Sequence, residues 1–165
     1  MNNKYAKLHS ILRMLGALLA IIVFVSMFIT KMVVRKDNAD LFYDFNSGAF
    51  FGDTKYGLCS GNVFGFIGYL LVLLGGLAGL AFVFIDEIIG KDLTKKLAFV
   101  AGGAAVAGAL LILFFAPMFI GINSDNFGSN AKYYTTAAGP IVFGIFGLVV
   151  GAIGVAAPIL ENKGL

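Results

Sequence analysis

Long apolar blocks alternate with short polar stretches along this chain of 165 residues. Four blocks stand out, at residues 14–30, 63–85, 97–122 and 137–160. Each is close to the length of about 20 residues that a helix needs to cross a hydrocarbon core of about 30 Å. A segment that spans lipid has to satisfy its own backbone hydrogen bonds, which a helix does. The pattern therefore predicts one all-α domain, an integral membrane bundle of four transmembrane helices.

The composition argues against a soluble domain. Hydrophobic residues make up 59% of the chain, charged residues make up 13%, and the mean hydropathy is +0.93. So little charge does not cover the surface of a soluble domain of this size. A net charge of +3 is ordinary for a membrane protein. We therefore predict the lipid bilayer as a partner, and no nucleic acid.

Basic residues predict the orientation. Lys4, Lys7 and Arg13 precede the first block, whose apolar core is longer than that of a signal peptide and lacks a small-x-small cleavage site. We expect an uncleaved signal anchor. With both termini in the cytoplasm, seven Lys and Arg residues lie inside and five outside, a weak positive-inside bias. This predicts a multi-pass plasma-membrane protein whose long external loop covers residues 31–62.

The external loop is the first candidate for an interaction surface, because it carries six aromatic residues. They are Phe42, Tyr43, Phe45, Phe50, Phe51 and Tyr56. A disordered linker would be poor in aromatics, so we expect a compact structure, such as a hairpin that turns at residues 46–48. Either the aromatics anchor the loop at the lipid headgroups, or they form a surface that binds a partner.

The loop at residues 86–96 is short and lies on the opposite side of the bundle. Gly90 is expected to end one helix here, and Asp92 is expected to cap the next.

Residues that carry chemistry are scarce. The interiors of the four blocks contain no Asp, Glu, Lys, Arg or His. This counts against a proton-coupled carrier but does not exclude a channel, which backbone and hydroxyl groups can line. His9 is the only histidine and is expected to be solvated or interfacial in the N-terminal tail, and Cys59 is the only cysteine. Neither a metal site nor a disulfide is therefore predicted. With no nucleophile motif or phosphate-binding loop either, we predict no cofactor and no enzymatic activity.

Two short motifs nevertheless resemble known four-span families. Residues 46–50, Asn-Ser-Gly-Ala-Phe, resemble the N-x-G-A-A-F segment of lipoprotein signal peptidases, and residues 123–125 resemble part of a later motif of that family. The resemblance implies a membrane hydrolase with two aspartates on one side of the membrane. Asp125 matches one of them, whereas Asp86 and Asp92 fall at the opposite face of a four-span chain.

The layout also resembles claudin-like tetraspan proteins, which have internal termini, a long first external loop and a shorter second one. Residues 57–59, Gly-Leu-Cys, resemble part of the G-L-W-x-x-C signature of that loop. The tryptophans and the second cysteine are absent from this chain. The resemblance therefore concerns the architecture.

Glycine is abundant inside the blocks, with 22 copies in the whole chain. In the second and fourth blocks the glycines recur with spacings of three and four, which returns them to one helix face. We call the following residues the packing seam: Gly61, Gly65, Gly68, Gly75, Gly79, Ala105, Gly108, Gly144, Gly147, Gly151 and Gly154. Small residues let helix backbones approach closely in lipid. The packing seam therefore joins helices within the bundle, receives another subunit, or lines a conduit.

The function that we predict from these observations is non-enzymatic. The chain is expected to act through protein–protein contacts as an accessory or scaffold subunit, or as a self-associating tetraspan, with a membrane-protein partner or a second copy of itself. A small transporter or channel component is the alternative, and a membrane-embedded hydrolase is the remote one.

Overall fold

Helices dominate the computed structural model, which describes residues 7–35, 47–52 and 59–162. Four of the helices are long and apolar enough to cross a membrane. The helices are α1 (Leu8–Ile29), α2 (Val63–Ile89), α3 (Lys91–Leu113), α4 (Phe115–Ile122), α5 (Ser124–Phe127) and α6 (Ala138–Asn162). The chain is therefore a helical bundle, compatible with a multi-pass membrane protein.

The four long helices form a closed ring. Each packs against the next along the chain, α6 returns to pack against α1, and α2 also touches α6 across the centre. The centre is filled by small and β-branched side chains, and Val72, Ala105, Ala109 and Val150 are all buried. Because these side chains are short, the helix axes lie close together in this layer.

A single residue joins α2 to α3. Gly90 has φ = +86°, in the left-handed region that favours glycine, and helices begin and end directly beside it. The prediction that Asp92 caps α3 is wrong, because Gly90 occupies the N-cap position. Asp92 lies in the first turn instead. The hydroxyl of Thr94 donates a hydrogen bond of 3.0 Å to the carbonyl of Gly90.

The third predicted span is interrupted. It consists of α3 followed by α4, with Phe114 between them at φ = −92° and ψ = 13°. Pro117 explains the break, because proline has no N–H to donate to the carbonyl of Leu113.

A two-stranded antiparallel sheet qualifies the all-α prediction. Strand β1 (Val33–Arg35) pairs with strand β2 (Tyr134–Thr136), so that Val33 faces Thr136. The sheet joins the first loop to the second, a long-range pairing that three-residue strands do not reveal in sequence. In place of a hairpin turn, Ser47–Phe50 form a 3₁₀ helix, while residue 46 lies outside the described residues.

Candidate functional site

Phe50 fixes the first loop to the helix ends. The side chain is 1% exposed, and its ring centroid lies 5.2 Å from that of Phe115, 5.8 Å from Tyr69 and 6.2 Å from Phe66. Rings at these distances and tilts make favourable edge-to-face contacts beyond the apolar area that they bury. Phe50 is one of the six aromatics predicted either to anchor the loop at the headgroups or to bind a partner, whereas it lies in the core.

Phe51 points the other way. It is 69% exposed, although its ring lies 5.2 Å from that of Phe66. Of the two candidate surface residues that the structure describes, Phe51 is the exposed one. The four other candidates, Phe42, Tyr43, Phe45 and Tyr56, lie outside the described residues.

Asn123 clamps the second half of the first loop. Its Oδ1 accepts a hydrogen bond of 2.6 Å from the Ser60 N–H, and its Nδ2 donates to the carbonyls of Ser60 at 3.0 Å and of Phe119 at 2.9 Å. Asn123 is 1% exposed. The buried Asn123 amide fixes the loop in one position, because its own oxygen and nitrogen would be left unpaired if Ser60 moved away.

Asn62 makes a second, parallel link. Its N–H donates to the carbonyl of Ala49 at 2.8 Å, and its Nδ2 donates to the carbonyl of Phe115 at 3.3 Å. Its Oδ1 is buried without a hydrogen-bond partner. Sequence reasoning missed both asparagines. The sequence offered one signal for them, because Asn62 directly precedes the second apolar block and Asn123 directly follows the third.

These links define a structural unit that we call the loop platform. It comprises strands β1 and β2, residues 47–52 and residues 59–62. The sheet, Phe50 and the two asparagines attach it to the ends of α2 and α4. A surface held in this way presents its exposed groups in one fixed arrangement, which favours recognition because little ordering entropy is lost on binding.

The opposite end of the bundle carries a buried ion pair. Arg13 Nη2 lies 3.0 Å from Glu161 Oε2, and the side chains are 2% and 22% exposed. Arg13 Nε is buried without a hydrogen-bond partner. The sequence analysis treated Arg13 as a loop charge, but α1 begins at Leu8 and takes it into the helix.

His9 lies on the same face of α1. It is 6% exposed, and its neighbour Ser10 is 1% exposed. The expectation of a solvated or interfacial His9 is therefore wrong, because α1 begins at Leu8 and includes His9, whose side chain is buried.

Several packing-seam residues lie at close contacts between helices. A Cβ added to Gly68 would lie 2.8 Å from the carbonyl oxygen of Gly108, and one added to Gly75 would lie 2.6 Å from that of Ala101 and 2.9 Å from the Cβ of Ala105. These contacts bring α2 against α3.

The seam residues of α6 face α3. An added Cβ would meet the Leu113 side chain at Gly144, the Ala109 side chain at Gly147 and the Val106 side chain at Gly151. At Gly154 it would lie 2.8 Å from the Cα of Gly102, a glycine that the sequence analysis did not select.

Two seam positions differ from the expectation of helix-to-helix contact. Gly61 precedes α2 and faces the backbone of residues 50–52, whereas Gly65 keeps a helix contact, since it faces the ring of Phe115 in α4. Gly79 is not at a contact, since an added Cβ would meet no described atom within 4 Å. Gly76, which the spacing rule did not select, faces Ala20 of α1 instead.

Metal ligands do not gather in the described part of the chain, where no three His, Cys, Asp or Glu side chains come close enough to hold an ion. Asp125 is exposed in α5 beside the loop platform, whereas Asp92 lies at the start of α3, at the other end of the bundle. The structure does not bring these two carboxylates together. No family model, no curated protein and no solved structure matches this chain.

Proposed function

We propose that this chain is a multi-pass plasma-membrane protein with both termini in the cytoplasm. The outer faces of the long helices support this placement. Leu18, Leu74, Val100 and Ile145 are between 50% and 69% exposed, and one lies on each long helix. In water such faces would form large apolar patches that soluble monomers rarely expose, whereas lipid covers them at no cost.

Packing through small residues is the second part of the proposal. Lipid is as apolar as leucine, so helices in a bilayer associate through close van der Waals contact rather than by burying large side chains. The approaches of Gly68 to Gly108 and of Gly154 to Gly102 are contacts of this kind. They favour the packing seam as an internal joint of one bundle, since the contacts run between helices of the same chain.

The proposed activity is that of a non-enzymatic accessory or scaffold subunit, which acts through protein contacts. The observation that carries it is the attachment of the loop platform to the bundle by Phe50, Asn62 and Asn123. Such a surface, with Phe51 exposed on it, is suited to present a fixed shape to a membrane-protein partner or to a second copy.

The filled centre of the bundle weighs against the alternative of a channel. Val72, Ala105 and Ala109 are 0% exposed and occupy the space that a conduit would need. The separation of Asp125 from Asp92 likewise weighs against an aspartate pair of the signal-peptidase kind, because such chemistry requires two carboxylates that share a proton.

Site-specific crosslinking tests the proposal. A photoreactive amino acid at Phe51 should give a discrete protein adduct in cell membranes, identified by mass spectrometry as a partner or a second copy. The matched control is the same group at Val149, which is 42% exposed on α6 and is expected to give lipid adducts. Lipid adducts alone at both positions, together with a monomer in native mass spectrometry, would contradict a scaffold role. Solute flux in vesicles would favour the transporter instead.

A further inference from the structure

Helices α2 and α3 form a groove between them on the outside of the bundle. They approach most closely at Gly68 and Gly75, where an added Cβ would lie within 3 Å of a backbone oxygen of α3. The groove runs along the outer side of this contact, since Gly75 and Ala101 both line it. Its volume is about 340 Å³.

The groove accepts an apolar occupant. All the residues that line it are apolar, with Gly75 and Phe82 buried in its depth. Leu74, Leu97 and Val100 form its rim and are 60%, 39% and 69% exposed. A water molecule needs two to four polar partners to be held, and these side chains offer none.

The length of the groove suits a hydrocarbon chain. The lining residues of α2 run from Leu71 to Phe82. At 1.5 Å per residue this is about 16 Å, which matches half of a hydrocarbon core of about 30 Å. The groove therefore has the length of one leaflet.

Charged residues lie at the open end of the groove, where a headgroup would be. Lys96 is exposed and directly precedes Leu97, which lines the groove, and Lys95 lies in the same turn. Lysine side chains extend along apolar surface and place their ammonium groups at the interface. Asp92 and Glu87 lie at the same end of the bundle and are exposed too. Basic and acidic side chains are thus both present. They suit a phospholipid headgroup that carries a phosphate, which a lysine would bind, and an ammonium group, which a carboxylate would bind.

We propose that this groove binds one acyl chain of a phospholipid of the leaflet on the side of the chain termini, with its phosphate against Lys96. The site is specific, so it holds its lipid longer than the rest of the surface does. It rests on the membrane placement proposed above, and it does not depend on the scaffold role.

Tryptophan fluorescence tests the site directly, because the chain contains no tryptophan. Leu74→Trp places a reporter on the rim of the groove. Val149→Trp is the control on α6 at a similar depth, since a Cβ added to Gly147 would lie 3.1 Å from the Val72 side chain. Each full-length variant is reconstituted into phosphatidylcholine vesicles that contain a small fraction of phosphatidylethanolamine with brominated acyl chains, which quench nearby tryptophan.

The groove reporter should be quenched at a lower fraction of brominated lipid than the control. The apparent affinity of the brominated lipid for the groove should be about fivefold higher, because one lysine near a phosphate contributes about 1 kcal/mol. Lys96→Gln in the Leu74→Trp background should remove that difference. Ala104→Phe, which fills the groove, should remove it without touching the charge.

Equal quenching at the two positions would overturn the proposal, because the groove would then hold only bulk lipid. Weaker quenching at the groove than at the control would overturn it in favour of a protein occupant. An absence of quenching at both positions would show that the membrane placement itself has failed.

Discussion

Arg13 and Glu161 join the two ends of the chain, since 148 residues separate them and Arg13 Nη2 donates to Glu161 Oε2 at 3.0 Å. Glu161 lies in the last turn of α6, where the helix dipole disfavours a negative charge. Arg13 offsets that charge, and Glu161 in turn compensates a guanidinium that is almost completely buried. The pair therefore fixes the start of α1 to the end of α6.

Removing one member of this pair should destabilise the bundle. Glu161→Ala leaves Arg13 buried and unpaired, which costs about 3–5 kcal/mol. Arg13→Ala should cost less, because Glu161 is 22% exposed and regains water more readily. Thermal unfolding in a mild detergent, followed by circular dichroism, measures both variants.

A double variant separates pairing from packing. Arg13→Met with Glu161→Leu replaces the pair by apolar groups and should recover most of the stability, because a buried pair is often no more stable than its hydrophobic replacement. Lys96→Ala, at an exposed position, serves as the control and should change stability by less than about 0.5 kcal/mol. If the double variant were as unstable as Glu161→Ala, the buried charge would not be the cause.

Two glycines of α2 should respond in opposite directions to the same substitution. Gly68→Ala forces a methyl group to within 2.8 Å of the Gly108 carbonyl oxygen, and overpacking of this kind costs about 1–3 kcal/mol. Gly79→Ala meets open space, and alanine in a helix is more stable than glycine by about 0.5–1 kcal/mol. Unfolding of the two variants in one detergent compares them directly. Equal losses of stability would contradict the contact geometry.

The helices could be predicted from sequence because each block of apolar residues carries its own signal. Length and hydropathy locate the ends of α2 and α6 to within four residues, whereas α1 and α3 each begin six residues before the predicted blocks. The break before Pro117 follows from proline chemistry. The early start of α1 could not be predicted in this way. Polar His9 and charged Arg13 face inward there, and their burial depends on neighbouring helices.

Loop contacts depend on residues that are distant in sequence, and a single chain gives no signal for them. Nothing near Phe50 shows that it packs on Phe115 rather than facing solvent like Phe51. The Asn123 bonds to Ser60 span 63 residues. Likewise, spacing places Gly79 on the glycine-rich face of α2, but no neighbouring helix approaches that position closely.

Asn123 should hold the first loop closed. Asn123→Ala removes three hydrogen bonds, each worth about 0.5–1.5 kcal/mol, and frees the exposed Ser60 from the helix end. Amide hydrogen exchange should accelerate at residues 59–62, while the long helices keep their protection. Asn126→Ala, an exposed neighbour, is the control. Unchanged exchange in Asn123→Ala would show that the loop is held by other contacts.

Phe50 and Phe51 are adjacent in sequence, and their substitution should separate stability from recognition. Phe50→Ala empties a site that is 1% exposed between three rings, and such a change costs about 3–5 kcal/mol. Phe51→Ala removes a ring that is 69% exposed, so the thermal unfolding temperature should stay close to that of the original chain. If the loop platform binds a partner, Phe51→Ala should nevertheless weaken crosslinking from a photoreactive group placed at Val63, which is 46% exposed at the start of α2. Loss of stability in Phe51→Ala, or full crosslinking without the ring, would mean that Phe51 does not contribute to recognition.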